Sequence, residues 1–268
     1  MSAPLLQVRG LCVDVGSGPG RRRVVDGVDL MVDAGECLGV VGESGSGKSL
    51  TMRSIIGLLP RGARASGGDL LVDGATYRPA DQRGHGIAMV FQEPMTALNP
   101  TRRAGDIIAD GVLSARTERI SRREARQVAV GLMREVGIPD PQRRARAFPH
   151  ELSGGLRQRV MIALALAGDP RLLICDEPTT ALDVTVQDQI LGLLDRLREE
   201  RQLAVLFVTH DLGVIAQISQ RIAVMHDGRV VEQGATAEVL ARPQHDYTAS
   251  LRAAAEALDG RRTKARVG

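Results

Sequence analysis

Apolar and polar residues alternate along the chain. Near the N-terminus, the apolar residues have the spacing that is typical of strands. Two β-rich runs, Leu5 to Val15 and Cys37 to Val41, open the sequence and are separated by a glycine-bearing turn and a polar segment. A helix-compatible stretch follows from Lys48 to Leu59 and stops at Pro60. Glycine turns then flank the short strand Asp69 to Val72. The pattern predicts two strands that lead into a loop, one helix and further β structure.

Helical spacing dominates the middle of the chain. Ser121 to Glu124 has the spacing of a capping box, and the apolar residues after it fall on one helical face. That face consists of Val128, Leu132, Met133 and Val136. A second helix is predicted from about Gly155 to Ala167, before the short apolar strand Leu172 to Cys175. We therefore expect a helical insertion over about residues 93–168.

The last third returns to alternating elements. The residues that recur at helical spacing are Val186, Ile190, Leu193, Leu194 and Leu197. Leu203 to Val208 is again an apolar strand, Asp227-Gly228 marks a turn, and a helix is predicted around Ala235 to Ala241. Alternating β and α elements favour an α/β fold with a largely parallel sheet.

Composition narrows the classes of protein. A chain of 268 residues that is 43% hydrophobic can bury a substantial core, which excludes a disordered tail protein. Lysine and arginine exceed the acidic residues by only 35 to 32, and aromatic residues make up 2%. So few aromatic side chains cannot form the base-stacking surfaces that proteins use to bind RNA or single-stranded DNA. Nucleic acid is therefore not an expected partner.

Targeting signals and cysteines change the picture little. No window approaches the roughly 20 apolar residues that span a bilayer, and the N-terminus does not resemble a secretory signal, so cytosolic residence is expected. Cys12, Cys37 and Cys175 are odd in number, scattered and set in apolar segments. They are predicted to be buried free thiols without chemistry.

The strongest chemical signal is a glycine-rich loop that follows the apolar strand ending at Val41 and precedes a helix. It fits G-x-x-x-x-G-K-[ST], and its predicted ATP-binding residues are Gly42, Glu43, Ser44, Gly45, Ser46, Gly47, Lys48, Ser49 and Leu50. Such a loop turns backbone N–H groups toward phosphate oxygens, Lys48 can bridge the β and γ phosphates, and Ser49 can ligate Mg²⁺. A chance glycine turn is the alternative, but strand, loop, lysine, hydroxyl and helix all fall in register.

Two carboxylates close the strand that ends at Cys175. Asp176 and Glu177 fall at the carboxyl edge of a predicted parallel sheet, where ligands sit in such folds. Asp176 is predicted to bind Mg²⁺ directly or to lie in its second coordination shell. Glu177 is predicted to polarise the attacking water as general base. A solvated acidic pair would be the ordinary interpretation without the phosphate loop.

Two further polar residues also follow apolar strands. His210 follows the strand that ends near Val208 and is predicted to reach a γ-phosphate or the attacking water. Gln92 follows the run that ends at Phe91 and is predicted to reach Mg²⁺ or water, although it could be an ordinary polar residue at a strand end. The other histidines, His85, His150, His226 and His245, follow no such strand and are predicted to be surface or packing residues.

A second glycine-rich helix start lies at Leu152 to Gly155. Its N-terminus is suited to an anion, but one bound ATP has no use for two phosphate loops in one chain. A head-to-tail dimer resolves this, with Ser153 and the N–H groups of Gly154 and Gly155 approaching the γ-phosphate that the other subunit holds. An ordinary helix cap and turn is the alternative.

With these motifs in order, the chain resembles the nucleotide-binding subunit of an ABC transporter over nearly its whole length. The resemblance implies a P-loop NTPase fold of the ABC ATPase type, with a mostly parallel core sheet, an N-terminal antiparallel β subdomain and the helical insertion. It implies one ATP-binding domain over residues 1–258 and a basic, flexible tail over 259–268. The implied roles are Walker A for Gly42 to Ser49, Q-loop for Gln92, signature for Ser153 to Gly155, Walker B for Asp176 and Glu177, D-loop in trans for Asp183, and switch histidine for His210.

Three blocks, residues 91–100, 177–187 and 243–251, resemble the peptide and nickel importer ATPases. That branch implies ATP hydrolysis, with Mg²⁺, coupled to uptake of dipeptides, oligopeptides or nickel at the cytoplasmic face of the membrane. It implies two permease subunits, a second ATPase in a favoured heterodimer, and an extracytoplasmic solute-binding protein as an indirect partner. The alternative is a soluble ATPase of a phosphonate C–P lyase complex. DNA-repair and ribosome-acting ABC proteins need a long coiled coil or two tandem ATPase units, which this sequence does not show.

The chain departs from the family pattern at two positions. The family usually stacks an aromatic residue on adenine where this chain has Val15, so adenine stacking is expected to be weakened. Leu156 replaces a common glutamine of the signature, which is typical of the peptide branch. Longer relatives carry a cysteine-bearing C-terminal extension that this sequence lacks, so no iron–sulfur cluster is expected.

Overall fold

A computed structural model describes residues 3–79, 86–115, 120–180 and 182–267, without the side chains of Met95 and of residues 258–267. The chain forms two compact units, which are described separately. The first contains residues 1–80 and 204–268, and the second contains residues 81–203. His85, predicted to be a surface or packing residue, lies outside the described residues.

The first unit begins with an antiparallel sheet in the order β2-β1-β4-β5. The strands are β1 (Leu6–Val15), β2 (Arg22–Val32), β4 (Ala63–Val72) and β5 (Ala75–Thr76). Apolar residues of β1 alternate inward, and Leu6, Val8, Leu11 and Val13 are all buried. The predicted N-terminal antiparallel β subdomain is confirmed, although the sequence reasoning missed β2.

The same unit holds a second group of strands, in the order β10-β9-β3-β8. These are β3 (Cys37–Val41), β8 (Ala204–Thr209), β9 (Arg221–His226) and β10 (Arg229–Ala235). The central strand β3 pairs in parallel with both β8 and β9, and β10 pairs with β9 in antiparallel fashion. Every residue of β3 and β8 is buried, as expected for strands covered on both faces.

The described residues of the first unit also form α-helices. They are α1 (Lys48–Ile55), α8 (Leu212–Ile218), α9 (Thr236–Ala241) and α10 (Asp246–Val267). Helix α1 ends four residues before the predicted end at Leu59, because the chain leaves the helix at Gly57, whose φ of 70° is left-handed. The backbone of α10 continues through residues 259–267, where the sequence suggested a flexible tail.

The second unit combines two parallel strands with helices. The elements are β6 (Ile87–Val90), α2 (Pro94–Ala97), α3 (Ala104–Ala115), α4 (Arg122–Glu135), α5 (Pro141–Arg144), α6 (Gly154–Leu166), β7 (Leu172–Asp176) and α7 (Val184–Arg201). The predicted capping box at the start of α4 is present in full: Ser121 accepts from the backbone of Glu124, whose side chain accepts from the backbone of Ser121. The predicted bounds of a helical subdomain, about 93–168, stay a prediction.

Ion pairs tie the helices of the second unit together. Arg201 at the end of α7 binds both carboxylate oxygens of Glu135 at 2.5 and 2.7 Å, and also Asp169 at 2.9 Å. The bond to Glu135 raises the pKa of Arg201, which keeps the guanidinium charged. This bidentate pair fixes the end of α7 to the end of α4.

The prediction that the three cysteines are buried free thiols is correct in part. All three are free, and Cys37 and Cys175 are buried in β3 and β7. Cys12 is only half-buried, because β1 bulges at this point and the backbone N–H of Gly27 donates to its sulfur at 3.4 Å.

Candidate nucleotide-binding site

The glycine-rich loop lies where the sequence places it, between the buried strand β3 and helix α1. Gly47 is the residue before α1 and has a left-handed backbone with φ of 97°. Gly45 has φ of 89°, which a residue with a Cβ adopts only at a cost. Glu43, Ser44 and Gly45 are exposed, so the tip of the loop is open to a ligand.

Lys48 spans the interior of this loop. Its ammonium nitrogen lies 2.7 Å from Gly42 O, 2.8 Å from Glu43 O and 3.4 Å from Ser46 Oγ, and the residue is only 5% exposed. These contacts hold the ammonium group beside the backbone that would surround a phosphate. The phosphate-binding role of Lys48 stays a prediction.

The turn between β9 and β10 borders the loop on one side. A Cβ on Gly42 would lie 2.1 Å from Met225 O, so only glycine fits at this position. Gly228 donates its backbone N–H to Ser46 O at 3.1 Å. The loop is thus fixed by backbone contacts as well as by Lys48.

Strand register brings His210 to the same edge as the loop. Val41 of β3 pairs with Thr209 of β8, so Gly42 and His210 are the next residues on two neighbouring parallel strands. His210 is exposed there, and Asp211 caps α8 by accepting the backbone N–H of Gly213 at 2.8 Å. His210 therefore lies at the same sheet edge as the loop, and its contact with a phosphate or water stays a prediction.

In the second unit, polar residues likewise follow the ends of two neighbouring parallel strands. Val90 of β6 pairs in parallel with Cys175 of β7, which places Gln92 and Glu177 two residues beyond the same register position. Asp176, the last residue of β7, is 1% exposed. The carboxyl ends of the two strands therefore bring together three of the predicted polar residues.

Glu177 has a defined set of partners. Gln92 Nε2 donates to Glu177 Oε2 at 3.3 Å, and Thr180 Oγ1 donates to the same oxygen at 2.9 Å. The backbone of Glu177 is left-handed with φ of 47°, which turns the chain out of the line of β7. The sequence did not predict the hydrogen bond from Gln92.

The second glycine-rich segment forms a helix start. Ser153 caps α6, since its hydroxyl accepts the backbone N–H of Leu156 at 3.4 Å, and Ser153 and Gly154 are exposed. A Cβ on Gly155 would lie 2.7 Å from Val186 Cγ1 of α7. The close packing of α6 on α7 explains this glycine without any ligand.

Asp183, predicted to act in trans, also caps a helix. Its Oδ1 accepts the backbone N–H of Val186 at 2.9 Å, and the residue is exposed. Leu156 is half-buried in the first turn of α6. Val15, the position of the missing aromatic residue, is half-buried at the end of β1 and pairs with Arg22 of β2.

Sequence reasoning missed two residues that contact the site. Thr180 lies three residues after Glu177, where a hydroxyl can turn back to the carboxylate, and this local spacing was the available signal. Tyr247 on α10 accepts the backbone N–H of Glu43 at 2.9 Å across 204 residues. No local pattern predicts so distant a pair.

The chain is similar to curated transport proteins over most of its length. It is 44% identical over 262 residues to the oligopeptide transport ATP-binding protein OppD of Bacillus subtilis, which covers 95% of this chain and 73% of that protein. The dipeptide transport ATP-binding protein DppD of the same organism is 43% identical and covers 95% of this chain and 78% of that one. The probable peptide ABC transporter ATP-binding protein y4tR of Sinorhizobium fredii is 48% identical over 254 residues, with 92% and 75% covered.

Solved structures of related cassettes share the fold. The dimeric post-hydrolysis state of the ATP-binding cassette MJ0796, bound to ADP and Pi, is 28% identical with a TM-score of 0.74 and covers 86% of this chain and 98% of that one. The structure of cbiO1 from Clostridium perfringens, part of the transporter complex cbiONQ, is 26% identical with a TM-score of 0.73 and covers 90% and 92%.

Fold and site together define an ATPase that binds its nucleotide with a P-loop. Residues 25–180 match the ABC transporter family. The chain belongs to the ABC transporter family, as its sequence motifs indicated. This match includes the P-loop, Gln92, Ser153 to Gly155, Asp176 and Glu177, whereas Asp183 and His210 lie beyond it.

Proposed function

We propose that the chain is the ATP-hydrolysing subunit of an ABC importer that takes up peptides through separate permease subunits. The observation that carries this proposal is the similarity to oligopeptide and dipeptide transport ATP-binding proteins over 95% of the chain at 44% and 43% identity. The three peptide-branch blocks of the sequence support it. Nickel, the other cargo of that branch, has no such named relative among these proteins.

The P-loop holds the triphosphate in this proposal. Backbone N–H groups between Gly42 and Leu50 surround the β and γ phosphates, and Lys48, whose ammonium group donates to Gly42 O and Glu43 O, donates its remaining N–H to a phosphate oxygen. Because Lys48 is already buried beside the loop, little reorganisation is needed when ATP binds.

Glu177 acts as general base toward the attacking water. Its carboxylate accepts the water proton, while the donors Gln92 and Thr180 fix its orientation from one side. His210, at the same sheet edge as the P-loop, donates a hydrogen bond to the γ-phosphate or hydrogen-bonds the attacking water. The chemical step thus depends on a positioned base and on positive charge near the phosphates.

Mg²⁺ fits the donors that the proposal gives it. Ser49, Gln92 and Asp176 offer a hydroxyl, an amide oxygen and a carboxylate, which are the hard oxygen ligands that Mg²⁺ prefers. Gln92 directs its amide nitrogen to Glu177, which leaves the amide oxygen for a cation. A bound Mg²⁺ would neutralise part of the phosphate charge.

A head-to-tail dimer completes the site. Ser153, Gly154 and Asp183 are exposed at the starts of α6 and α7 and contact the ATP of the opposing subunit. The opposing subunit is a second, different ATPase, and the pair works at the cytoplasmic face of the membrane under two permeases, fed by a solute-binding protein. A fully active symmetric homodimer in complex with its permeases would contradict the heterodimer.

Among the residues described, none of the helices combines the length and the apolar character needed to cross a bilayer.

Mass spectrometry of the proteins that co-purify with a tagged copy from detergent-solubilised cells tests the proposal. We expect two polytopic permeases, a second ATPase and a solute-binding protein. Binding of peptides, rather than Ni²⁺, to that solute-binding protein would then establish the cargo. Recovery of soluble lyase-type enzymes alone would contradict the transport function and support the phosphonate alternative.

A further inference from the structure

One peptide unit at the start of the P-loop is held at both of its ends. Its carbonyl, Gly42 O, accepts a hydrogen bond from Lys48 Nζ at 2.7 Å. Its amide, Glu43 N, donates to the hydroxyl of Tyr247 at 2.9 Å. Because the C=O and N–H of a peptide lie in one plane, this plane cannot rotate without breaking both bonds.

The tyrosine is itself fixed in place. Its ring stacks on the ring of His226, with centroids 3.9 Å apart and an interplanar angle of 24°. Burial raises the pKa of Tyr247, so the hydroxyl stays protonated and neutral. The backbone N–H of Tyr247 donates to His245 Nδ1 at 3.1 Å. The hydroxyl therefore reaches Glu43 from a side chain with little freedom to move.

The helix that carries Tyr247 is anchored to the strand beside it. The carboxylate of Glu232 on β10 accepts the backbone N–H groups of Gln244 and His245, at 2.8 and 3.1 Å, just before α10 begins. Arg252 of α10 donates to Leu240 O of α9 at 3.0 Å. Strand β10 continues from the same β9–β10 turn that contacts the loop through Gly228. The loop, the turn and the start of α10 thus form one hydrogen-bonded assembly.

We infer that Tyr247 is a positioning residue for ATP binding, which acts by holding the Gly42–Glu43 peptide so that Gly42 O faces Lys48. Without the hydroxyl, the amide of Glu43 loses its partner and the peptide plane can turn. A turned plane moves Gly42 O away from Lys48 and allows a carbonyl oxygen to face the phosphates, which repels them. The loop then binds nucleotide less tightly, whereas the catalytic groups around Glu177 stay unchanged.

This inference rests on nucleotide binding at the P-loop and not on peptide transport, so it can be tested with the purified full chain. The substitution Tyr247→Phe removes the hydroxyl and keeps the ring on His226. We expect the Kd and KM for ATP to rise about three- to tenfold, the range for loss of one hydrogen bond, with kcat within about twofold of wild type. GTP should lose affinity by the same factor, because the phosphates and not the base are affected.

The chain supplies a matched control, since it contains only one other tyrosine, Tyr77, which is 3% exposed in the antiparallel sheet unit. Tyr77→Phe should leave the Kd for ATP unchanged even if it lowers Tm. His226→Ala should weaken ATP binding through the tyrosine, so the double variant with Tyr247→Phe should bind no more weakly than Tyr247→Phe alone.

Several outcomes would overturn the assignment. An unchanged Kd for ATP in Tyr247→Phe would show that the hydroxyl does not position the loop. A fall in kcat at constant KM would place Tyr247 in the chemical step, and an equal loss in Tyr77→Phe would reduce the effect to general stability. A wild-type chain that binds no ATP would instead contradict the ATPase assignment itself, which separates the two failures.

Discussion

Gln92 and Glu177 are 85 residues apart in sequence, yet the amide nitrogen of one lies 3.3 Å from a carboxylate oxygen of the other. The contact follows from strand register, because Val90 and Cys175 pair in parallel and each is followed two residues later by one of the two side chains. A substitution at the end of either strand should therefore alter the position of Glu177, the proposed base. Thr180 adds a second hydrogen bond to the same oxygen.

Replacement of the proposed base tests its role directly. Glu177→Gln should bind ATP with near wild-type affinity and hydrolyse it about 10²- to 10⁴-fold more slowly, because an amide cannot accept the water proton. Phosphate release and equilibrium binding of ATP measure the two quantities. Thr180→Val is the control that keeps the carboxylate and removes one donor, and it should slow turnover less than about tenfold. Near-normal turnover in Glu177→Gln would exclude Glu177 as base.

A methyl group at the start of the P-loop should disrupt it. In Gly42→Ala the Cβ would lie 2.1 Å from Met225 O, so the loop or the end of β9 must shift. We expect the free energy of unfolding to fall by about 1–3 kcal/mol and ATP binding to be lost. Urea unfolding and nucleotide titration check both effects.

Helix α4 provides the matching control for that substitution. A Cβ at Gly131 meets nothing within 4 Å, so Gly131→Ala should stabilise the chain by about 0.5–1 kcal/mol and leave ATP binding intact. Wild-type ATP affinity in Gly42→Ala would contradict the close approach of Met225 to the loop.

The missing aromatic residue at Val15 leads to a prediction of gained affinity. If adenine stacks near the end of β1, Val15→Tyr should lower the KM for ATP about two- to tenfold, the range for an added aromatic pair. Steady-state kinetics measure the KM for ATP. Val13→Thr would not be a suitable control, because Val13 is fully buried. A KM already as low as that of homologues with the aromatic residue, and unchanged by the substitution, would refute the expected weak stacking.

Asp14 should make stability depend on acid pH. Hydrogen bonds from Ser66 and then Arg21 lower its pKa to about 2, and Arg23 contributes a further bond. The unfolded chain binds this proton near pH 4, so the stabilisation is complete above that pH and is lost as the pH falls from about 4 to about 2. Asp14→Asn should lower Tm at pH 6, and the difference from wild type should shrink toward pH 2.5.

The exposed Asp69 of the same sheet offers the control for the acid experiment. Asp69→Asn should change Tm little, since Asp69 is exposed on β4. A Tm difference for Asp14→Asn that stays constant from pH 6 to pH 2.5 would show that the carboxylate charge does not stabilise the fold.

Local sequence signals predicted most elements whose ends are marked by caps or turns. The predictions of the capping box at Ser121 and of the mostly apolar strands β7 and β8 were correct, because each is specified by its own residues. Strand β2 was missed because Asp26-Gly27 has the composition of a turn. In the structure this pair is a bulge: Gly27 has φ of 67°, and the pairing with β1 shifts register on either side of it.

The candidate site was predictable where the motif is contiguous and less so where distant segments meet. The P-loop, Asp176 and His210 each follow an apolar strand, so their place at a sheet edge could be predicted from the sequence. The bond between Gln92 and Glu177 requires the register of β6 and β7, which no single segment specifies. Tyr247 lies 204 residues from its partner Glu43, and only the fold brings them together.

The hydroxyl group of Ser153 caps helix α6 and, in the proposed dimer, also contacts a phosphate. The oxygen accepts the N–H of Leu156, and this uses a lone pair while the proton remains available to an outside acceptor. Alanine at this position would remove both, whereas asparagine would keep an acceptor for the helix and replace the hydroxyl by an amide. In the proposed dimer, kinetic losses in a Ser153→Ala variant would therefore combine helix fraying with loss of the proposed phosphate contact, and only substitutions that preserve the cap separate the two.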